Sequence, residues 1–151
     1  MDIYRQTIVL FDYGNDVGTR VQAFENTHTN SVSILDSHAK NRADAGKKAA
    51  VKRLGDDFIA LGTSLRAMSV PTDARTVHEA YVHAYQAVGE NLKAISETDT
   101  DETFLNAVTA YNSSVDTLSQ SFVAFATFFS ARTILFSSLD AGSVFMFSSS
   151  Q

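Results

Sequence analysis

The sequence predicts an all-α protein: an elongated up-down four-helix bundle with a short extended apolar strap at its C-terminus. Three observations predict it. Apolar residues recur at alternating steps of three and four along most of the chain, which keeps them on one helix face. Strand-type alternation appears nowhere before the C-terminal tail. No repeat of solenoid length recurs, and short turns between successive helices favour antiparallel neighbours.

The first segment carries a three-four seam through Leu10, Val17 and Phe24, and through Gly14, Val21, His28 and Leu35, continuing past Ser31 to His38. Unbroken from Ile3 to Arg42 it would span roughly 60 Å at 1.5 Å per residue. Two features oppose that. Gly14 and Gly18 each cost about 1 kcal/mol relative to alanine. Asn26 to Ser31 is a run of residues that compete for backbone hydrogen bonds and favour turns. The sequence therefore leaves open a continuous helix, a kink at Asn26–Ser31 or a boundary near Gly46.

The next helix shows Val51, Leu54, Phe58, Ile59, Leu61, Leu65 and Met68 on one face. The only proline follows, in Ser69-Val70-Pro71-Thr72-Asp73, where a tight reversal belongs and where Thr72 or Asp73 is placed to cap the next helix. That helix carries Val77, Tyr81, Ala84, Val88, Leu92 and Ile95. The last stripe runs Phe104, Val108, Tyr111, Val115, Leu118, Phe122, Phe125, Phe129, with Asp99 and Glu102 placed for a capping box and the end expected near Phe136. The division expected is a bundle over residues 1–136 and a turn and packed tail over 137–151. In the tail, Gly142 permits a reversal, and Val144 to Phe147 are too few for a helix and too apolar to stay solvated. Phe145, with Phe147 or Val144, is expected to hold it as an extended strap on the bundle; pairing with another chain is the rival reading.

At 151 residues, with 44% hydrophobic and 19% charged side chains, one domain with a real core is expected. A net charge of −5 opposes nucleic-acid binding. The charge is uneven. Lys40, Arg42, Lys47, Lys48, Lys52 and Arg53 stand against only Asp44, a candidate patch for an anionic membrane surface or polymer. The absence of cysteine rules out disulfides and thiolate chemistry. No stretch approaches a membrane span.

The chemical motifs are near misses. His78-Glu79-Ala80-Tyr81-Val82-His83 has its histidines five apart, about 140° around a helix, whereas a zinc-protease helix needs four. Gly142-Ser143 lacks a nucleophile-elbow context, and Gly46-Lys47 lacks the upstream glycine of a phosphate loop. No enzyme and no cofactor is expected. His28 and His38 fall on the seam of the first segment. A buried imidazole there is either bonded across the bundle or lines a polar core that takes a small ligand, metal or haem.

The stretch SVPTDARTVHEAYVHAYQAVGENLKAI, with the later Phe136–Phe145 segment ending in DAGSVF, resembles uncharacterised exported helical proteins of bacteria, many from uncultivated lineages. The likeness covers roughly Leu54 to Phe147. It implies an extracytoplasmic place, with a signal or lipid-type anchor outside this sequence; a cytoplasmic chain is the alternative. It also implies that Pro71 and His78 define the fold, the histidine bonding near the turn. The function expected is a non-enzymatic interaction or spacer module of the cell envelope, monomeric or weakly self-associating, with a protein or membrane surface as partner.

Overall fold

The computed structural model describes residues 2–146. Among them the chain is helical and carries no strand, and five α-helices pack together: α1 (Ile3–Thr27), α2 (Ser31–Lys40), α3 (Ala45–Arg66), α4 (Arg75–Ser96) and α5 (Asp101–Ala131). Short 3₁₀ turns lie at Thr72–Ala74 and Ala141–Phe145.

The long first segment is two helices, and the polar run breaks it. The Thr27 hydroxyl donates back to the Ala23 carbonyl, at 3.0 Å, and His28 Nδ1 lies 2.7 Å from the Phe24 carbonyl. Side chains thus occupy the acceptors that onward amides would need, so the helix ends. After α2, Asp44 takes the Lys47 amide on its carboxylate at 2.9 Å and starts α3.

Three boundaries depart from expectation. Neither Thr72 nor Asp73 caps α4; both sit in the 3₁₀ turn, which Ala74 N–H closes onto the Pro71 carbonyl at 2.9 Å, and the turn feeds straight into the helix. At α5 the capping pair is Thr100 with Thr103, one residue beyond Asp99 and Glu102, because a hydroxyl at each position serves the other's amide. The same helix ends at Ala131, five residues before Phe136. Thr133 adopts a left-handed conformation (φ 57°), the only positive φ outside glycine among the described residues. Its amide returns to Ser130 O and that of Ile134 to Phe129 O, with Ile134 and Phe129 both buried. This is the Schellman stop in which glycine usually stands, so no sequence signal marked it.

Contacts across the interfaces give the helix directions. Gly55 faces Gly89, and Gly62 faces Val82 and Gln86, so α3 and α4 run antiparallel and close. Asn91 bonds the Ala110 carbonyl, and Tyr81 meets Phe122 and Phe125, so α4 and α5 are antiparallel too. Arg20 bonds Ser64 and Phe24 meets Phe58, giving the same relation for α1 and α3.

The tail completes the core. From Ile134 the chain returns along α1, where Phe136 stacks on Phe11 at 5.3 Å. A Cβ on Gly18 would stand 2.2 Å from the Ala141 carbonyl oxygen, and one on Gly14 would stand 2.4 Å from the Phe136 ring. Asn15 Oδ1 accepts the Gly142 amide at 2.7 Å, and Gln22 donates to Ala141 O at 3.2 Å. Phe145, 1% exposed, enters a cluster of Tyr81, Phe122, Phe125 and Phe129. The segment does this as a 3₁₀ turn rather than as an extended strap. Gly142 has no positive φ; its lack of a side chain matters because a Cβ would meet Phe136 at 2.4 Å. Phe147 lies outside the described residues.

Candidate functional site: two buried histidines and an open groove

Two core clusters divide the bundle. The larger joins α1, the end of α3, the start of α4, the end of α5 and the tail. At its centre stands His78. Tyr13 donates its hydroxyl to Nδ1 at 2.5 Å, and Nε2–H donates to the Leu65 carbonyl at 2.7 Å, just before the Pro71 turn. Both ring nitrogens are satisfied, and three helices are tied by one side chain. Burial holds the imidazole below its ordinary pKa and raises the Tyr13 phenol. Tyr81 and Tyr85 bond each other at 2.9 Å, and burial pushes Tyr85 up to about 12.

The smaller cluster has Val51, Leu54, Val88, Leu92 and Ile95 buried, while Leu35, Phe104, Val108 and Tyr111 remain partly exposed beside it. Here α2, only ten residues long and without a side-chain cap, packs mainly on α3 and stands off α5. A groove of about 350 Å³ stays open between them. Val32, Leu35, Asp36 and Ala39 of α2 form one wall, Phe104, Val108, Tyr111 and Asn112 of α5 the other, with Ile95 between. Ala39 also borders a polar cavity of about 540 Å³ walled by Arg42, Lys48 and Asp99, among others.

His38, next in sequence to Ala39, lines neither cavity. It is 2% exposed, and neither ring nitrogen has a hydrogen-bond partner. Its ring meets Phe104 edge-on at 6.2 Å. Burial first, then the charges of Lys48 and Arg42, lower its pKa, against a partial pull from the Ile95 carbonyl. Burial thus favours the neutral ring, and the Ile95 carbonyl lies outside normal hydrogen-bond geometry.

His28 is elsewhere, stacked on Phe24 at 3.9 Å with Nε2 2.8 Å from the Asp57 carboxylate. The two seam histidines belong to different helices and do not converge. Among the described residues no group of three or more histidine, aspartate or glutamate side chains is placed to hold a metal. Glu79 and His83 form an exposed pair at 3.7 Å.

The basic patch is divided. Lys40 pairs with Asp36 at 2.8 Å. Arg42 pairs with Asp101, donates to Thr100 O at 3.2 Å and lies over the Phe104 ring at 4.6 Å, so it fastens the turn after α2 to the start of α5. Lys48 borders the polar cavity, Lys47 is half-buried, and Lys52 and Arg53 are exposed on α3. Among the described residues no carboxylate lies within ion-pair distance of Lys48.

Sequence reasoning missed the partners of His78 and the groove itself. Tyr13 is 65 residues from His78, and nothing local in the sequence links them. The groove had one legible sign: Val32, 80% exposed on its α2 wall, is an apolar residue off the main stripes. Compared with known protein families, curated proteins and solved structures, the chain matches none of them. Among the described residues no helix is long and apolar enough to cross a membrane.

Proposed function

We propose that the chain is a non-enzymatic helical binding module that holds its partner at the α2–α5 end. The observation that carries this reading is the unequal use of buried polar groups. At the tail end they are consumed in bonds between helices, whereas at the α2 end His38 is unspent beside an open groove. Buried polar groups are normally satisfied, and an unsatisfied one beside a cavity marks a place where a partner completes the structure.

In this reading α1, α3, α4 and α5 form an up-down four-helix bundle, α2 flanks one end of it, and the 3₁₀ turn of the tail locks the other end. The antiparallel contacts and the burial of Phe145 support it. The place proposed is the bacterial cell envelope, outside the cytoplasm, supported by the resemblance of the Pro71–Ile95 and Phe136–Phe145 segments to exported helical proteins. A membrane surface is the other partner considered. Lys47, Lys52 and Arg53 favour it, but Lys40 and Arg42 are already engaged within the fold.

Photo-cross-linkers at Val32 and Asn112, which line the groove, compared with one at Thr127 near the closed end, test the reading in cells carrying the native gene. Adducts from the groove positions alone, in the envelope fraction, are expected. Adducts from Thr127 alone, or protein confined to the cytoplasm, contradict it.

A further inference from the structure

We propose that the gap between α1 and α5, beside the tail turn, is a site for a small methylated ammonium ion, with Glu25 as its counter-charge and the rings of Tyr81, Tyr85 and Phe122 as its walls. The site shares no lining residue with the α2–α5 groove and goes beyond the binding-module reading.

The gap follows from the packing. α1 and α5 scarcely touch, and the tail turn lies between them. It takes a bond from Gln22 of α1 on the Ala141 carbonyl and meets Phe122 of α5 through Phe145. Glu25 stands about one turn beyond Gln22. A pocket of about 300 Å³ lies there, lined by Glu25, Tyr81, Tyr85, Leu118 and Phe122, among others.

The lining selects the ligand. Glu25 is exposed and, among the described residues, has no cation within ion-pair distance. No lysine, arginine or histidine among the described residues lines the pocket. Burial chiefly, and with it the negative charge of Glu25, raises both phenols, so the carboxylate lies close to them and opposes an anion. Tyr81 is inclined to Tyr85 by 48° at 4.8 Å and to Phe122 by 58° at 6.5 Å, so the rings form walls rather than a stack. Aromatic walls attract a cation, most strongly where water is excluded. The two phenols already bond each other at 2.9 Å. A primary ammonium would bring three N–H donors against walls that are mostly carbon, whereas a methylated one brings none and needs only the charge and the rings.

The test is calorimetric titration of the full chain with choline, its uncharged carbon isostere dimethylbutanol, butylamine and acetate, with the Tyr81, Tyr85 and Phe122 ring signals followed by NMR. Choline is expected to bind at one site and to shift all three rings. Dimethylbutanol and butylamine should bind at least about tenfold more weakly, and acetate should give no saturable binding. Glu25→Gln should weaken choline by about tenfold, and Glu25→Lys, which brings its own ammonium to the pocket, should abolish binding. Glu79→Lys makes the same change of charge at an exposed α4 residue outside the pocket and should leave binding unchanged. No saturable choline binding, equal affinity for dimethylbutanol or butylamine, indifference to Glu25→Gln, or an equal loss in Glu79→Lys would each overturn the site.

Discussion

His78 and His38 are equally buried, each 2% exposed, yet one has both nitrogens bonded and the other has neither. The difference lies in what surrounds them. His78 sits where α1, α3, α4, α5 and the tail converge, so partners arrive from several directions. His38 sits on the inner face of a ten-residue helix whose neighbours offer mostly apolar atoms, an aromatic edge and two cations. Burial by itself does not decide whether a polar side chain stabilises. An imidazole with two partners is a tie, and one with none is a cost of about 1–3 kcal/mol per unsatisfied group.

The largest expected contrast between the ends is in aromatic truncation. Phe145→Ala removes a ring 4.8 Å from Phe125 in a sealed core and should cost about 3–5 kcal/mol in denaturant unfolding. Phe104→Ala, on a half-buried ring that lies under Arg42 and meets the edge of His38, should cost about half of that. Equal costs would mean that the α2 end is packed as tightly as the tail end.

Next in size is Gly18→Ala. A methyl there must displace the Ala141 carbonyl, so despite alanine's better helix propensity the change should lose about 1–3 kcal/mol. A gain in stability would show that the tail does not lie against α1. This is also where the sequence misled most. Gly14 and Gly18 read as weak points of a helix, whereas they are the surface on which Phe136 and Ala141 rest.

The helical stripes were legible because periodicity is local. Long-range ties, such as Tyr13 to His78, Arg42 to Asp101, Asn15 to Gly142, Arg20 to Ser64 and His28 to Asp57, join residues no pattern connects. The break after Thr27 was half-legible, since its cause, a run of short polar side chains, is in the sequence, but its outcome depends on which hydrogen bonds win. The α5 stop was illegible because Thr133 occupies a glycine conformation. Of the candidate site, the sequence named His38 and Lys48, but it could not show that one lacks partners and the other stands beside it.

Acid should act on both ends. Each folded imidazole has a lowered pKa, while the unfolded ones titrate near 6.5. Below that value the unfolded chain binds more protons, so stability is fully present above about pH 6.5 and falls as pH falls, by at most about 1.4 kcal/mol per pH unit for each histidine. Thermal unfolding between pH 8 and 5 checks this, and His38→Leu should flatten the slope. A slope unchanged in that variant would mean that His38 does not titrate differently on folding. The smallest effect expected is a gain. Thr133→Gly should raise stability by about 1 kcal/mol by relieving a left-handed β-branched residue.

The central claim is that the two buried histidines differ in kind, and one paired measurement tests it most directly: urea unfolding of His78→Leu and His38→Leu beside the unsubstituted protein. His78→Leu orphans the Tyr13 hydroxyl, at about 1–3 kcal/mol, and takes one donor from the Leu65 carbonyl, which still accepts from the Met68 amide, so a clear loss of stability is expected. His38→Leu removes two unpaired nitrogens from an apolar surrounding and should be neutral or stabilising. Losses of similar size in both variants would contradict the account.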